Sequence, residues 1–160
     1  MSEEKTYTEQ EAHRFFAGNA NGEVWGLLGK GDRTVDDDQL MIHAAHASLY
    51  HWLKVGTAVH HQRGAWLIAR VYSELGLAEA AMRYAELCQD LTKQHADSLE
   101  DFDKAYACEC IARANAVAGN IEEAKKLKAL AEEAGEAIAD EESKTYFVGD
   151  LQGGNWGSLA

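Results

Sequence analysis

The chain contains 160 residues, of which 46% are hydrophobic and 26% are charged, and its formal net charge is −12. This length and composition suit one folded domain with a sizeable core, and they argue against a disordered chain. The acidic excess, with no cluster of Lys and Arg long enough to follow a phosphate backbone, argues against nucleic acid as a partner.

The N-terminal residues and the cysteines bear on the compartment. The first ten residues, MSEEKTYTEQ, contain no apolar stretch of the kind found in signal peptides. No apolar run elsewhere approaches the ~18 residues that a membrane span requires. Three cysteines cannot all pair within the chain and are typical of reduced thiols. We therefore expect a cytoplasmic protein with no membrane partner.

The chain has no proline, and glycines separate its amphipathic stretches. Because proline interrupts helices and glycine ends them, this pattern predicts an all-α fold of about seven helices. Thr8 and Glu11 form a capping box for the first helix, and Ser98 with Asp101 resembles a cap for the fifth. In chain order, the expected helices cover about 8–30, 36–55, 58–75, 78–94, 98–118, a stretch from 121 onward, and 136–148.

An internal repeat is visible when Gly76 is aligned with Gly119, at a spacing of 43 residues. Each unit contains a helix, a glycine turn and a second helix with a small alanine near its start, Ala81 or Ala124. The same alignment superposes Ile68-Ala69-Arg70 on Ile111-Ala112-Arg113, and Glu79 on Glu122. The alanines predict a close approach of the two helices after each turn.

The turn and alanine pattern of residues 58–135 resembles the tetratricopeptide repeat. The resemblance implies stacked antiparallel helical hairpins, that is, a short α-solenoid. The spacing exceeds the ~34 residues usual in that family, and no proline closes the units. We expect residues 1–150 to form a single domain and residues 151–160 to be a mobile tail, apart from a possible docked Trp156.

A second resemblance lies upstream of the repeats. The segments MIHAAHASLYHWLKVGT and RGAWLIARVYSELG, with the motifs HAAHAS-x-YHW and RG-x-W, resemble a group of bacterial proteins that have no assigned activity. This resemblance supports the helical fold and a cytoplasmic location, and it implies nothing about mechanism.

Two triplets at equivalent helical positions form a candidate binding surface. Helix three carries Arg63, Trp66 and Arg70, and helix five carries Tyr106, Glu109 and Arg113 at the aligned positions. In tetratricopeptide arrays the first helix of each unit lines a concave groove, so the resemblance implies that these side chains point into one. Arginine can bind a carboxylate through two hydrogen bonds, and an exposed indole offers a large contact area. The alternative is that Trp66 packs between arginine stems as part of the core.

Histidines near the start of the chain form the other candidate site. His43, His46 and Tyr50 share one face of helix two at spacings i, i+3 and i+7. Two imidazoles could begin a metal site, but such a site needs a third ligand, and no H-E-x-x-H motif occurs. Packed or hydrogen-bonded histidine is therefore the favoured interpretation, and we expect no bound metal.

These patterns favour a binding or scaffold module whose groove holds a peptide or a small anionic partner. No nucleophile motif or phosphate-binding loop occurs, so we assign no catalytic residue and no cofactor. The less favoured alternative is a small-molecule or metal-dependent enzyme with a histidine-rich pocket around His43, His46, Tyr50 and Arg70.

Overall fold

The computed structural model describes residues 2–159, and this part of the chain contains seven α-helices, two short 3-10 turns and no β-strand. Neighbouring helices α1 and α2, α3 and α4, and α5 and α6 form antiparallel hairpins, and α7 lies against α5 and α6. The predicted all-α stack of hairpins is confirmed. The helices are α1 (Glu9–Leu28), α2 (Val35–Val55), α3 (Ala58–Glu74), α4 (Ala78–Gln94), α5 (Asp101–Val117), α6 (Ile121–Glu136) and α7 (Glu141–Gln152), and the 3-10 turns are Ala96–Ser98 and Gly157–Leu159.

Side-chain caps define the starts of the first two helices. The Thr8 hydroxyl accepts a hydrogen bond from the Glu11 amide, and the Glu11 carboxylate accepts one from the Thr8 amide. Thr34 and Asp37 form the same reciprocal pair at the start of α2. Each pair satisfies amide groups that have no partner inside the helix, so these boundaries are encoded locally.

The predicted bounds of two helices are wrong. Ser98 belongs to a 3-10 turn, and α5 begins at Asp101 because Asp103 accepts a hydrogen bond from the Glu100 amide at 3.1 Å. The last helix begins at Glu141 and continues to Gln152, because the Asp140 carboxylate caps it by accepting from the Ser143 amide at 2.8 Å. In both cases a neighbouring acidic residue supplies the cap.

The two turns of the internal repeat have the same geometry. Gly76 and Gly119 adopt φ values of 72° and 83°, a conformation that favours glycine. The Leu77 amide donates to the Tyr72 carbonyl at 2.9 Å, and the equivalent bond joins Asn120 to Asn115 at 2.9 Å. The structure thus superposes the two turns at the spacing read from the sequence, and it buries Ala81 and Ala124 completely.

Helix α3 lies at the centre of the fold. It contacts α2, α4 and α5, and Ala65 to Val71 are all buried within it. One hydrophobic cluster joins α1–α4 to the facing side of α5, and a second one joins α5, α6, α7 and the C-terminal residues. The surface between α3 and α5 therefore lies where the two clusters meet.

The C-terminal residues pack against α5 and α6. Trp156 is 4% exposed, and its indole Nε1 donates to the Leu151 carbonyl at 2.8 Å. The Ser158 hydroxyl donates to the Ala116 carbonyl at 3.2 Å. The docking of Trp156 is therefore part of the structure, whereas the mobility of the rest of the tail stays a prediction. Within residues 2–159, no helix is long and apolar enough to cross a membrane.

Candidate functional site

The Glu109 carboxylate connects α3 to α5 in the interior. Trp66 Nε1 donates to Glu109 Oε2 at 2.7 Å, and Arg70 Nη1 donates to Glu109 Oε1 at 3.1 Å. Arg113 Nε donates to the same Oε1, and Glu109 is fully buried. A buried carboxylate is tolerated only when cations and donors compensate it, so these four side chains form one structural unit.

Main-chain oxygen atoms near the C-terminus complete the coordination of the two arginines. Arg113 Nη1 donates to the carbonyls of Gly153 and Asn155 at 2.9 and 3.2 Å. The Asp150 carbonyl accepts from Arg113 Nη2 at 2.9 Å and from Arg70 Nη1 at 3.1 Å. We call residues 150–157 the C-terminal cover, and we call the surface that contains Arg70 and Arg113 the arginine half.

The C-terminal end of α7 provides a favourable electrostatic environment for the two arginines. Asp150 lies in the last turn of α7, where carbonyl groups lack helical partners and carry the negative end of the helix dipole. The main-chain amide of Asn155 donates to Glu74 Oε2 at 3.0 Å. The centre of the Trp156 ring lies 4.2 Å from Arg113 Cζ. Burial lowers the pKa of Arg113, because the charged guanidinium has lost most of its contact with water.

The sequence predicts that Trp66, Arg70, Glu109 and Arg113 point into an open groove, and this expectation is corrected, since all four are buried. Trp66, Arg70 and Arg113 are only 6%, 7% and 0% exposed. These side chains lie together between α3 and α5, joined through the Glu109 carboxylate. The C-terminal cover closes over the two arginines, and α1 lies over Trp66 through the stacked ring of Trp25 at 5.6 Å.

The other half of the α3–α5 surface is an open cleft of about 250 Å³, which we call the aromatic cleft. The Trp66 ring forms its floor, and Tyr106 meets that ring edge-on at 4.8 Å. Trp25 remains 38% exposed at the rim. The lining residues are Asn21 and Trp25 of α1, Gln62, Arg63, Trp66 and Leu67 of α3, and Phe102, Asp103 and Tyr106 of α5.

An ion pair borders the aromatic cleft. Arg63 donates to both carboxylate oxygens of Asp103, at 2.7 and 3.1 Å. The Asp103 side chain is 2% exposed, whereas that of Arg63 is 46% exposed and its Cζ lies 5.0 Å from the centre of the Phe102 ring. Because the two charges neutralise each other, aromatic faces dominate the chemistry of the cleft, which suits a planar apolar group.

Tyr106 joins the two halves. Its ring lines the aromatic cleft, while its hydroxyl donates to the Asp150 carboxylate at 2.5 Å. Burial, together with the hydrogen bond to Asp150, raises the pKa of Tyr106 well above its usual range. The phenol therefore stays neutral and holds the end of α7 beside the cleft.

The structure does not bring His43, His46, Tyr50 and Arg70 together in one pocket. His46 Nε2 lies 2.8 Å from the Tyr72 hydroxyl, and burial, with a smaller contribution from His43, lowers the pKa of His46. His43 and Tyr50 are exposed, and Tyr50 packs against His13 and His51 instead. Arg70 belongs to the arginine half. Among residues 2–159, no three His, Cys, Asp or Glu side chains are grouped so that they could hold a metal ion.

Several residues of the surface were not identified from the sequence. Trp25 comes from α1, which lies outside the internal repeat, and Asp103 is aligned with His60, which is not acidic. The Gly153 and Asn155 carbonyls carry no side-chain signal at all. A helical pattern identifies which face of α3 is involved, but it does not identify which distant segment covers that face.

Comparisons with protein-family models, with curated proteins and with solved structures find no match to this chain.

Proposed function

We propose that the chain is a binding module, a short tetratricopeptide-like array whose aromatic cleft receives one planar apolar side chain of a peptide partner. The observation that supports this most directly is the open aromatic cleft itself. Its rim combines the exposed Trp25 with the half-exposed Arg63, beside rings that are already held in place. Aromatic residues with arginine dominate the binding energy of many protein interfaces.

The size of the cleft favours a single side chain. Its volume of about 250 Å³ lies below the ~300–1,000 Å³ typical of sites for drug-sized ligands. The Trp66 and Tyr106 rings already contact each other, so an incoming ring would meet a surface that needs little ordering. A small rigid pocket of this kind suits one aromatic side chain of an extended peptide.

The helical arrangement agrees with the same proposal. Helices α3 and α5 are the first helices of consecutive hairpins, and they contact each other. The resemblance to tetratricopeptide repeats implies that such first helices line a concave peptide-binding groove. The aromatic cleft is lined by residues of α1, α3 and α5, the first helices of the three hairpins, and this lining supports the proposal.

Nuclear magnetic resonance with a short peptide tests the proposal. Acetyl-Gly-Phe-Gly-amide should shift the indole N–H signals of Trp25 and Trp66 in a saturable way, because its ring stacks in the aromatic cleft. Acetyl-Gly-Ala-Gly-amide, which lacks the ring, should leave those signals in place. We expect a dissociation constant of about 1 mM, in the range of ~4 kcal/mol for one anchored group.

Two variants on α1 localise the binding. Trp25→Ala should abolish the shift of the Trp66 signal while the protein stays folded, because Trp25 lies at the rim of the cleft. Phe16→Ala removes an aromatic residue that is 51% exposed on the same helix outside the cleft, and it should leave binding unchanged. Equal shifts from both peptides, or equal effects of both variants, would refute the proposal.

A further inference from the structure

We propose that Arg70 and Arg113 form a concealed carboxylate-binding site, which the C-terminal cover occupies with its own main-chain oxygen atoms. The site involves residues other than those of the aromatic cleft, and it does not depend on the function proposed for that cleft. The ligand of this site is a single carboxylate group, and the site opens when the C-terminal cover is displaced.

Gly154 locates the binding position. A Cβ atom added there would lie 2.5 Å from Arg70 Nη2 and 2.8 Å from Arg113 Nη1. Nitrogen atoms of both guanidinium groups therefore surround this position, and once the cover is displaced one oxygen atom near it would accept hydrogen bonds from both. Gly154 also has a φ of 78°, which favours glycine. With the cover in place this point is too close to both guanidiniums for any added atom, and only displacement of the cover makes it accessible.

Only one carboxylate forms hydrogen bonds with the two arginines. Two guanidiniums share the carboxylate of Glu109, and the other oxygens that accept from them belong to neutral carbonyls. Glu74 and Asp150 add negative charge nearby, but Glu74 pairs with Arg33 at 3.3 Å and the Asp150 carboxylate accepts from Tyr106. A carboxylate would therefore bind these arginines more strongly than the carbonyls that occupy the site now.

Unpaired polar atoms occur at the same place. Among residues 2–159, the buried side-chain nitrogen and oxygen atoms without a hydrogen-bond partner are Arg70 Nε and Ser73 Oγ. The two residues are three positions apart on α3 and so lie on the same face of the helix. The Ser73 carbonyl accepts from Asn155 of the cover at 3.2 Å. Unsatisfied buried donors are costly, and a ligand oxygen would reduce that cost.

The C-terminal cover is thin. Gly153 and Gly154 are exposed on its outer side, although the guanidiniums lie directly beneath them. Beyond α7, Asn155 bonds to Ser73 and Glu74, and the ring of Trp156 is docked. The carbonyls of Gly153 and Asn155 also accept from Arg113. Because Gly153 and Gly154 add backbone freedom and no apolar contact, residues 153–155 can separate from α3 while Trp156 stays in the core cluster of α5 and α6.

The overall charge limits the ligand to few negative charges. A chain with a net charge of −12 repels a polyanion, whereas a single carboxylate pays little of that penalty and gains a forked contact with arginine. The carboxylate can come from the C-terminus of a peptide or from a small organic acid. Both sources present the same two oxygen atoms to the guanidiniums.

Isothermal titration calorimetry on the full chain tests the inference with acetyl-Ala-Gly-Gly carrying a free carboxylate. The same peptide with a C-terminal amide is the control ligand, and neither contains a ring that could enter the aromatic cleft. Asn155→Ala weakens the cover without adding atoms, and Gly154→Ala pushes a methyl group against both arginines. Asn19→Ala, at an exposed asparagine of α1, is the matched control variant.

Both cover variants should bind the carboxylate peptide at least about tenfold more tightly than the wild type, because a larger fraction of molecules has the site open. The amide should not bind, and adding Arg70→Lys to Asn155→Ala should remove the gain. Hydrogen exchange at residues 150–157 should become faster in Asn155→Ala and stay unchanged in Asn19→Ala. Should Gly154→Ala fail to fold, Asn155→Ala alone decides the outcome.

Acetate as a competitor assigns the source of the carboxylate. Competition at the same concentration as the peptide assigns the site to small organic acids, and weaker competition assigns it to peptide C-termini. The inference is overturned if exchange at residues 150–157 is unchanged in Asn155→Ala, since the cover is then a fixed part of the core. It is also overturned if the free carboxylate and the amide bind equally to the cover variants.

Discussion

In the arginine half of the α3–α5 surface, charged side chains lie in the interior and the C-terminal cover closes over them. In the aromatic cleft, only a few residues away on the same helices, rings line an open space and the cationic Arg63 reaches solvent. Both halves derive from one helical pattern, with Arg63, Trp66 and Arg70 on one face of α3. Their different burial is therefore decided by segments distant in sequence, namely α1 and the cover.

The comparison also separates two uses of an ion pair. Glu109 and both of its arginines are buried, so these ion pairs stabilise the fold only while every partner is present. In the pair of Arg63 and Asp103 the cation is half exposed, so water can replace part of a lost contact. The same chemistry is structural in one half and available for recognition in the other.

The largest expected effect breaks the buried pair. Glu109→Gln should lower the free energy of unfolding by about 3–5 kcal/mol, because it leaves two buried guanidiniums without a negative partner. Asp103→Asn, which affects the half-exposed Arg63, should cost only about 1 kcal/mol. Urea unfolding at neutral pH, followed by circular dichroism, measures both. Equal losses for the two variants would show that the halves do not differ energetically.

An intermediate effect concerns the hairpins that hold both halves. Ala81→Leu and Ala124→Leu should each cost about 1–3 kcal/mol, because the added atoms have no space in a fully packed contact. Ala129→Leu, at an exposed position of α6, is the control and should change stability little. Melting temperatures compare the three. An unchanged melting temperature for both buried sites would argue against the equivalence of the two hairpins.

The smallest effect concerns Tyr106, which belongs to both halves. Tyr106→Phe should cost about 0.5–1.5 kcal/mol, the usual value of one hydrogen bond, here the bond to Asp150. The exposed Tyr146 of α7 is the matched position, and Tyr146→Phe should have no measurable effect. Chemical unfolding near neutral pH provides both values, and an equal result for the two variants would contradict the bridging role of Tyr106.

The same tyrosine predicts a dependence on alkaline pH. Burial raises the pKa of Tyr106, so the unfolded phenol loses its proton at about pH 10 while the folded one keeps it. Its contribution to stability is therefore complete below pH 10 and is lost as the pH rises further. The decrease in stability above pH 10 should be smaller in Tyr106→Phe than in the wild type.

Much of the fold could be predicted from the sequence because its signals are local. The capping box at Thr8 and the glycines at 76 and 119 act within one turn of helix, and they were read correctly. The starts of α5 and α7 were misplaced, because acidic residues competed for the cap and only the tertiary contacts decide between them. The spacing of 43 residues predicts the two equivalent hairpin turns, because each glycine turn ends one helix and starts the next.

The candidate site could be predicted only in part. Helical spacing placed Arg63, Trp66 and Tyr106 on one surface, and the structure brings these three together in the aromatic cleft. Helical spacing could not predict that Arg113 would be covered, because the covering atoms are main-chain carbonyls about 40 residues away in the sequence. Main-chain groups are the same in every residue, so their long-range contacts leave no trace in composition or periodicity.

The Glu109 carboxylate has a mechanical consequence for the stack of hairpins. Apolar contacts between helices are not directional, so helices joined by them alone can slide along one another under load. Hydrogen bonds weaken steeply with angle and distance, and Glu109 accepts them from Trp66 and Arg70 of the facing helix. A slip of α3 by one turn, about 5.4 Å, would break both bonds together. Under tension the array should therefore resist shear between its hairpins and yield in one abrupt step.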